Sequence, residues 1–348
     1  MKLNTFIKLT ACIALVFSIA VSAKTNQKVV VYNWTEYIPE GVIEEFTKQT
    51  GIEVDYNTYE SNEVMYSKIK IQKAKGYDVI VPSTYYISKM AKEGLLSPID
   101  HNKLSNLKHL DESLLNKAYD PENKYSTPYV WGSTGIGINT DEVDPSSITS
   151  WQDLWDVKWK NSLILTDDVR EVFHMALRIN GHSANSQNPD EIKQAYELLK
   201  TLMPNVLVFN SDAPREPYLA GDVNLGMIWN GEVIMAQEDE EAINYIYPKE
   251  GVALWVDSFA IPAGAENKEA AHKFINFMLR PEIAMRTVEY IGYATPNKTA
   301  IGMLDQETRD NQIIFPSQNI IKNGEFHQDI GDAVELYNKY WEMLKTGK

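Results

Sequence analysis

The sequence predicts an α/β protein built as two lobes, and three observations carry that prediction. A strand, helix, strand, helix, strand alternation begins at Lys28; a second alternation of strands and helices occupies roughly 136–255; and no tract rich in Pro, Gly or Ser separates the two. Size agrees, because 348 residues, 44% of them hydrophobic and 8 of them Trp, suffice to bury one or two sizeable cores.

Taken in order, Val29-Val30-Val31-Tyr32 is a short apolar strand. Gly41 to Gln49 reads as a helix closed by Gly51, and Ile52 to Tyr59 alternates as a strand. Ser61 is placed to cap a helix over Asn62 to Ala74, which Gly76 stops. Tyr77-Asp78-Val79-Ile80-Val81 is then a buried strand ended by Pro82, which has no N–H to give to a ladder. Consecutive parallel strands need crossover connections, so this βαβαβ order implies a parallel sheet covered by helices. In the second run the strands are Leu163 to Leu165, Asn205 to Phe209, Leu225 to Trp229 and Asn244 to Tyr247, and the helices Val169 to Ile179, Glu191 to Met203 and Glu232 to Glu240. With no flexible tether, the lobes are expected to be joined by strands. Gly132-Ser133-Thr134-Gly135-Ile136-Gly137 lacks the Lys-Ser/Thr ending of a phosphate loop and the third glycine of a dinucleotide fold, so it reads as a strand crossing closely packed backbone.

The N-terminus sets the expected compartment. Lys2 and Lys8 precede the apolar stretch Leu9 to Ala20, and Val21-Ser22-Ala23 has the small residues of a cleavage site, so residues 1–23 read as a signal peptide of an exported protein. Leu9-Thr10-Ala11-Cys12 also has the form of a lipobox, but the apolar run continues past the cysteine and cleavage after Ala23 is the favoured reading. Cys12 is the only cysteine, which leaves the mature chain without disulfides or a thiol nucleophile. Cleavage removes two lysines and no acid, taking the formal charge from -15 to -17. Such a surface repels nucleic acid and anionic lipid and attracts cations.

Open α/β sheets bind ligands beyond the carboxyl ends of their strands. The residues there are Trp34, Glu36 and Tyr37, then Ser83 and Tyr85, then Asp168, Glu171, Trp229, Trp255 and Asp257, with Tyr293 joining from the turn-rich stretch 291–296. Nearly all are aromatic or carboxylate. That mixture suits a flexible ligand with spaced ammonium groups, because carboxylates replace the water around each charge while aromatic faces cover the methylenes. For a ligand with seven methylenes, burial at about 0.8 kcal/mol each provides roughly 5 to 6 kcal/mol of the roughly 8 needed for micromolar binding. Each residue also has an ordinary alternative: Trp34, Trp229 and Trp255 as core, Asp168 as the N-cap of the helix it precedes, Glu171 as a first-turn acid, Asp257 as a turn residue, and Tyr37, Tyr85 and Tyr293 as half-buried packing.

Enzyme chemistry finds little support. The six histidines show no His-Glu-x-x-His spacing, no Gly-x-Ser-x-Gly elbow occurs, and neither metal nor cofactor is expected. Asp168 and Glu171 lie three apart on one helix face, so they cannot flank a scissile bond as a hydrolase requires.

Several long segments in order carry a resemblance: Tyr32-Asn33-Trp34-Thr35-Glu36-Tyr37, Asp78 to Tyr86, Thr166 to Phe173, Asn224 to Gly231, Trp255-Val256-Asp257-Ser258 and Ile291 to Asn297. Together they resemble the spermidine/putrescine-binding proteins of bacterial polyamine ABC transporters over almost the whole mature chain. The resemblance implies a type II periplasmic-binding-protein fold: two lobes, each a mixed, mostly parallel sheet flanked by helices, joined by two crossing hinge strands. It divides the chain into a first lobe of 24–133 plus 258–300 and a second of 134–257 plus 301–348. It implies a monomer that closes on one polyamine and docks on inner-membrane permease subunits. It also implies ligand contacts by Trp34, Thr35, Glu36, Tyr37, Ser83, Tyr85, Asp168, Glu171, Ser211, Trp229, Trp255, Asp257 and Tyr293. A polyamine receptor reporting to a membrane signalling enzyme would share the same pocket. One departure stands out, His327 where the family has a glutamine. A neutral imidazole keeps one acceptor for an ammonium and loses it on protonation, so affinity is expected to fall with pH, and nearby carboxylates are expected to raise the pH of that loss.

Overall fold

The computed structural model describes residues 27–347, so the expected signal segment lies outside the described residues. Its strands are β1 (Gln27–Trp34), β2 (Ile52–Tyr59), β3 (Val79–Ile80), β4 (Leu96–Ser97), β5 (Ser126–Asn139), β6 (Leu163–Leu165), β7 (Val206–Phe209), β8 (Leu225–Trp229), β9 (Ile243–Ile246), β10 (Ala253–Pro262) and β11 (Glu325–Phe326). They form one sheet in the order β2-β1-β3-β10-β5-β8-β6-β7, with β4 and β11 on β10 and β9 on β5.

The parallel sheet expected from the βαβαβ order is β2-β1-β3. A second parallel group, β8-β6-β7, forms the other end. Between them β5 and β10 run antiparallel to each other, which makes the whole sheet mixed. β10 meets the first group where Ala260 faces Ile80, and β5 meets the second along Thr134 to Ile138. β5 is long enough to enter two cores, and β10, whose Phe259 and Ile261 lie in the first, pairs at its other end with β11. Tyr129 and Val130 of β5 are buried with Val29, Phe46, Phe259 and Phe274, whereas Ile136 and Ile138 are buried with Leu163, Phe173 and Leu199. The lobes are therefore joined through β5 and β10, as the missing linker predicts.

Local chemistry explains the element ends. Ser61 Oγ accepts from the Val64 N–H at 3.2 Å and starts the helix Asn62–Ile71. That helix stops short of the expected Ala74 because Lys73 and Ala74 take left-handed backbone, φ 53° and 59°. The strand expected over 77–81 keeps only Val79–Ile80 as ladder. The glycine-spaced segment is strand, as read. A Cβ on Gly132 would sit 2.6 Å from the Trp255 ring and 2.5 Å from Asn230 Oδ1, so only glycine lets β5 lie against these side chains.

Candidate ligand cleft

The register of β5 against β10 slips between Asp257 and Ser258. A slip of this kind re-aims the side chain beside it. Asp257 bridges there to Ser83, at the N-terminus of the helix Thr84–Lys92. Ser83 Oγ donates to Asp257 Oδ1 at 2.6 Å and Tyr37 Oη donates to Oδ2 at 2.8 Å. Asn62 in turn fixes Ser83: its Nδ2 donates to Ser83 Oγ at 3.0 Å and its Oδ1 accepts from the Ser83 N–H at 3.1 Å. Asp257 is only 3% exposed, and burial pushes its carboxyl up to about 7 against the help of Ser83 and Tyr37.

A second group of acids enters from the start of the helix Val169–Ile179. Asp168 is the N-cap of the helix Val169–Ile179, accepting from the N–H groups of Arg170 at 2.8 Å and Glu171 at 3.0 Å. This fixes the first turn and points Glu171 at Trp229, whose Nε1 donates to Oε1 at 2.9 Å and Oε2 at 3.0 Å. Thr134 Oγ1 donates to Glu171 at 2.6 Å and accepts from Trp255 Nε1 at 3.2 Å, so one hydroxyl ties the acid to a second indole. Burial and the neighbouring Asp168 push Glu171 up to about 8, and burial raises Asp168 as well.

Trp34, Asn62, Ser83, Tyr85, Asp168, Glu171, Trp229, Trp255, Asp257 and His327 line one narrow cleft with a cavity volume of about 30 Å³. Trp34 is held by its Nε1 bond to the Val81 carbonyl at 2.9 Å and stands edge-on to Trp229, ring centroids 6.4 Å apart. The buried Tyr85 Oη and His327 Nε2 have no hydrogen-bond partner. Among the described residues, Asp168, Glu171 and Asp257 make no ion pair with any lysine, arginine or histidine. Nor do three or more His, Cys, Asp or Glu side chains converge there in a metal-holding cluster.

Of the fourteen residues singled out from sequence, Trp34, Ser83, Tyr85, Asp168, Glu171, Trp229, Trp255, Asp257 and His327 thus share the cleft wall. Tyr37 acts on it through Asp257. Tyr293 backs the wall, 1% exposed, with its ring 5.0 Å from Trp255 and 5.8 Å from Tyr37. Three lie outside the lining. Thr35 Oγ1 donates to Asp212 at 3.3 Å, Glu36 pairs with Arg215, and Ser211 Oγ accepts from the Asp167 N–H at 2.8 Å. His327 corrects one expectation: burial, then Arg170 and His174, push its pKa well down, where the carboxylates were expected to raise it. Sequence reasoning missed Asn62 and Thr134. Asn62 follows the end of β2 and the strand-end rule applied there would have found it; Thr134 lies inside β5, with no local signal.

A family model described as bacterial extracellular solute-binding protein matches residues 41–314. The spermidine/putrescine-binding periplasmic protein of Salmonella typhimurium is 53% identical over 329 residues, 94% of each chain. The putrescine-binding periplasmic protein PotF of Escherichia coli is 31% identical over 354 residues, 95% of each. Among solved structures, the spermidine/putrescine ABC transporter substrate-binding protein PotD of Streptococcus pneumoniae superposes with a TM-score of 0.79 at 37% identity, covering 92% of this chain and 99% of that one.

Proposed function

Because this chain belongs to the bacterial extracellular solute-binding protein family, we propose that it captures a polyamine, spermidine or putrescine, between its lobes in the periplasm and delivers it to an ABC transporter. The supporting observation is the set of three cleft carboxylates, Asp168, Glu171 and Asp257: among the described residues none makes an ion pair, and burial outweighs the one nearby cation, Arg170, that acts on Asp168. Two of them are raised to about 7 and about 8 in the absence of a counter-charge. Ammonium groups are the complement such acids lack, and the indoles of Trp34, Trp229 and Trp255 offer π-faces to the methylenes between them. Tyr85 Oη retains an acceptor for an amine N–H, and the unpartnered His327 Nε2 lies on the same wall.

In this reading residues 1–23 are removed on export and the mature chain acts as a monomer. The lobes are 24–133 plus 258–300 and 134–257 plus 301–348, and inner-membrane permease subunits receive the closed form. Tyr37 and Tyr293 act from behind the wall. Isothermal calorimetry of the mature protein against spermidine, putrescine, norspermidine, lysine and a neutral sugar tests it. Saturable one-to-one binding of the polyamines, with none of lysine or sugar, is expected; binding of sugar or lysine in preference to every polyamine overturns it.

A further inference from the structure

Glu36 was expected to face the ligand, yet a protein guanidinium holds it. Arg215 Nη2 donates to Glu36 Oε2 at 2.9 Å and to Oε1 at 3.2 Å, while Arg215 Nη1 donates to Glu232 Oε2 at 2.9 Å. The three residues come from different lobes. Glu36 follows β1, whose Val29 and Val31 belong to the first core. Arg215 and Glu232 flank Tyr218 and Val233, which are buried with Ile164 of β6 and Ile228 of β8. Thr35 makes the same crossing to Asp212.

The two acids are not equivalent. Glu232 lies in the first turn of the helix Asn230–Gln237, its side chain 9% exposed, and Arg215 is its in-lobe counter-charge. Glu36 is 45% exposed and sits in a turn with φ 58°. Glu232 therefore needs Arg215 however the lobes are arranged, whereas Glu36 reaches Arg215 only when they meet.

We propose that Arg215 withdraws Glu36 from amine capture and uses it to tie the two lobes together across the cleft mouth, where it acts as a positioning residue for closure. The proposal rests on the binding reading above and narrows it: three carboxylates, not four, meet ammonium groups. The pair is partly exposed, so its effect is modest, roughly two- to fivefold in the opening equilibrium.

Stopped-flow Trp fluorescence with spermidine and with putrescine tests this on wild type, Glu36→Gln, Arg215→Met/Glu232→Gln and the triple variant. Changing Arg215 and Glu232 together avoids stranding a buried acid. The expected result is that Glu36→Gln raises koff about two- to fivefold, equally for both ligands, with kon nearly unchanged, and has no further effect in the Arg215→Met/Glu232→Gln background. A larger loss for spermidine than for putrescine, or an equal loss in both backgrounds, would make Glu36 an ammonium contact in the native protein and overturn the proposal. A ligand-free measurement separates its failure from that of the binding reading. Spin labels on Ile71→Cys and Val157→Cys, 81% and 85% exposed and in opposite lobes, should report a longer mean separation in Glu36→Gln without any polyamine. An unchanged separation there also overturns it.

Discussion

Asp120 and Asp257 are both carboxylates buried to within 3% of completely, one just before β5 and the other within β10, and burial raises both. They differ in what donates to them. Asp120 Oδ2 accepts from the N–H of Tyr125 at 3.0 Å and of Ser126 at 2.7 Å and from Ser126 Oγ at 2.6 Å, and Oδ1 takes a further bond from the Tyr125 N–H. Backbone amides saturate it and make it a fixture of the turn. Asp257 has one side-chain donor per oxygen, and half its acceptor capacity stays directed at the cleft. Equal burial is therefore no guide to role; the kind of donor is.

The comparison breaks most directly at Asp257. Asp257→Asn should cost spermidine affinity on the order of 3–5 kcal/mol while leaving Tm nearly unchanged, because an ammonium is left in the cleft without its counter-ion. Asp120→Asn should do the reverse, with affinity kept and stability lowered by about 1–3 kcal/mol as backbone donors lose a partner. Calorimetry and thermal melts on both variants decide, and interchanged outcomes would erase the distinction.

Next in size is pH. A polyammonium ligand needs Asp257 and Glu171 ionised, and without ligand they titrate near 7 and 8. Binding at pH 7 should release protons, visible as a dependence of the calorimetric enthalpy on buffer ionisation. Affinity should fall below pH 7 by roughly tenfold per unit for each of these carboxylates. Since both folded values lie above the unfolded ones, these acids stabilise the ligand-free protein fully below about pH 4 and cease to as pH rises through about 7 to 8. The ligand-induced gain in Tm should thus be larger at pH 8 than at pH 5.5; an equal gain would show that the acids are already ionised.

Two smaller effects sharpen the picture. Gly132→Ala drives a methyl into the Trp255 ring and should cost about 1–3 kcal/mol in stability, with weaker binding as that wall shifts. His327→Gln should leave the pH profile of binding unchanged between 5.5 and 8, since burial keeps the imidazole neutral there; a flattened profile would return the histidine to the role the sequence suggested.

Local pattern was legible and long-range partnership was not. β2, β6, β8 and the helix Val169–Ile179 have the bounds read from alternation, apolar runs and capping residues. Aromatics and acids at strand ends led to most of the cleft wall. No periodicity announces that β10 lies between β3 and β5. Glu36 meets Arg215 179 residues away, and the environment of His327 is set by Arg170 and His174 on a helix far back in the chain. Charge partners of this kind decide whether an acid or an imidazole is free, and they exist only after folding.

The place of β10 has a consequence for the order of folding. It sits between strands made much earlier, β3 before it in the sheet and β5 after it, so the core that holds Trp255, Phe259 and Ile261 cannot close until Pro262 has been synthesised. Contacts of such sequence separation form slowly, because the loops they close must be ordered first. A nascent chain is therefore left without its central pair for most of its synthesis, a delay that suits the export proposed above, in which the polypeptide crosses a membrane before it packs.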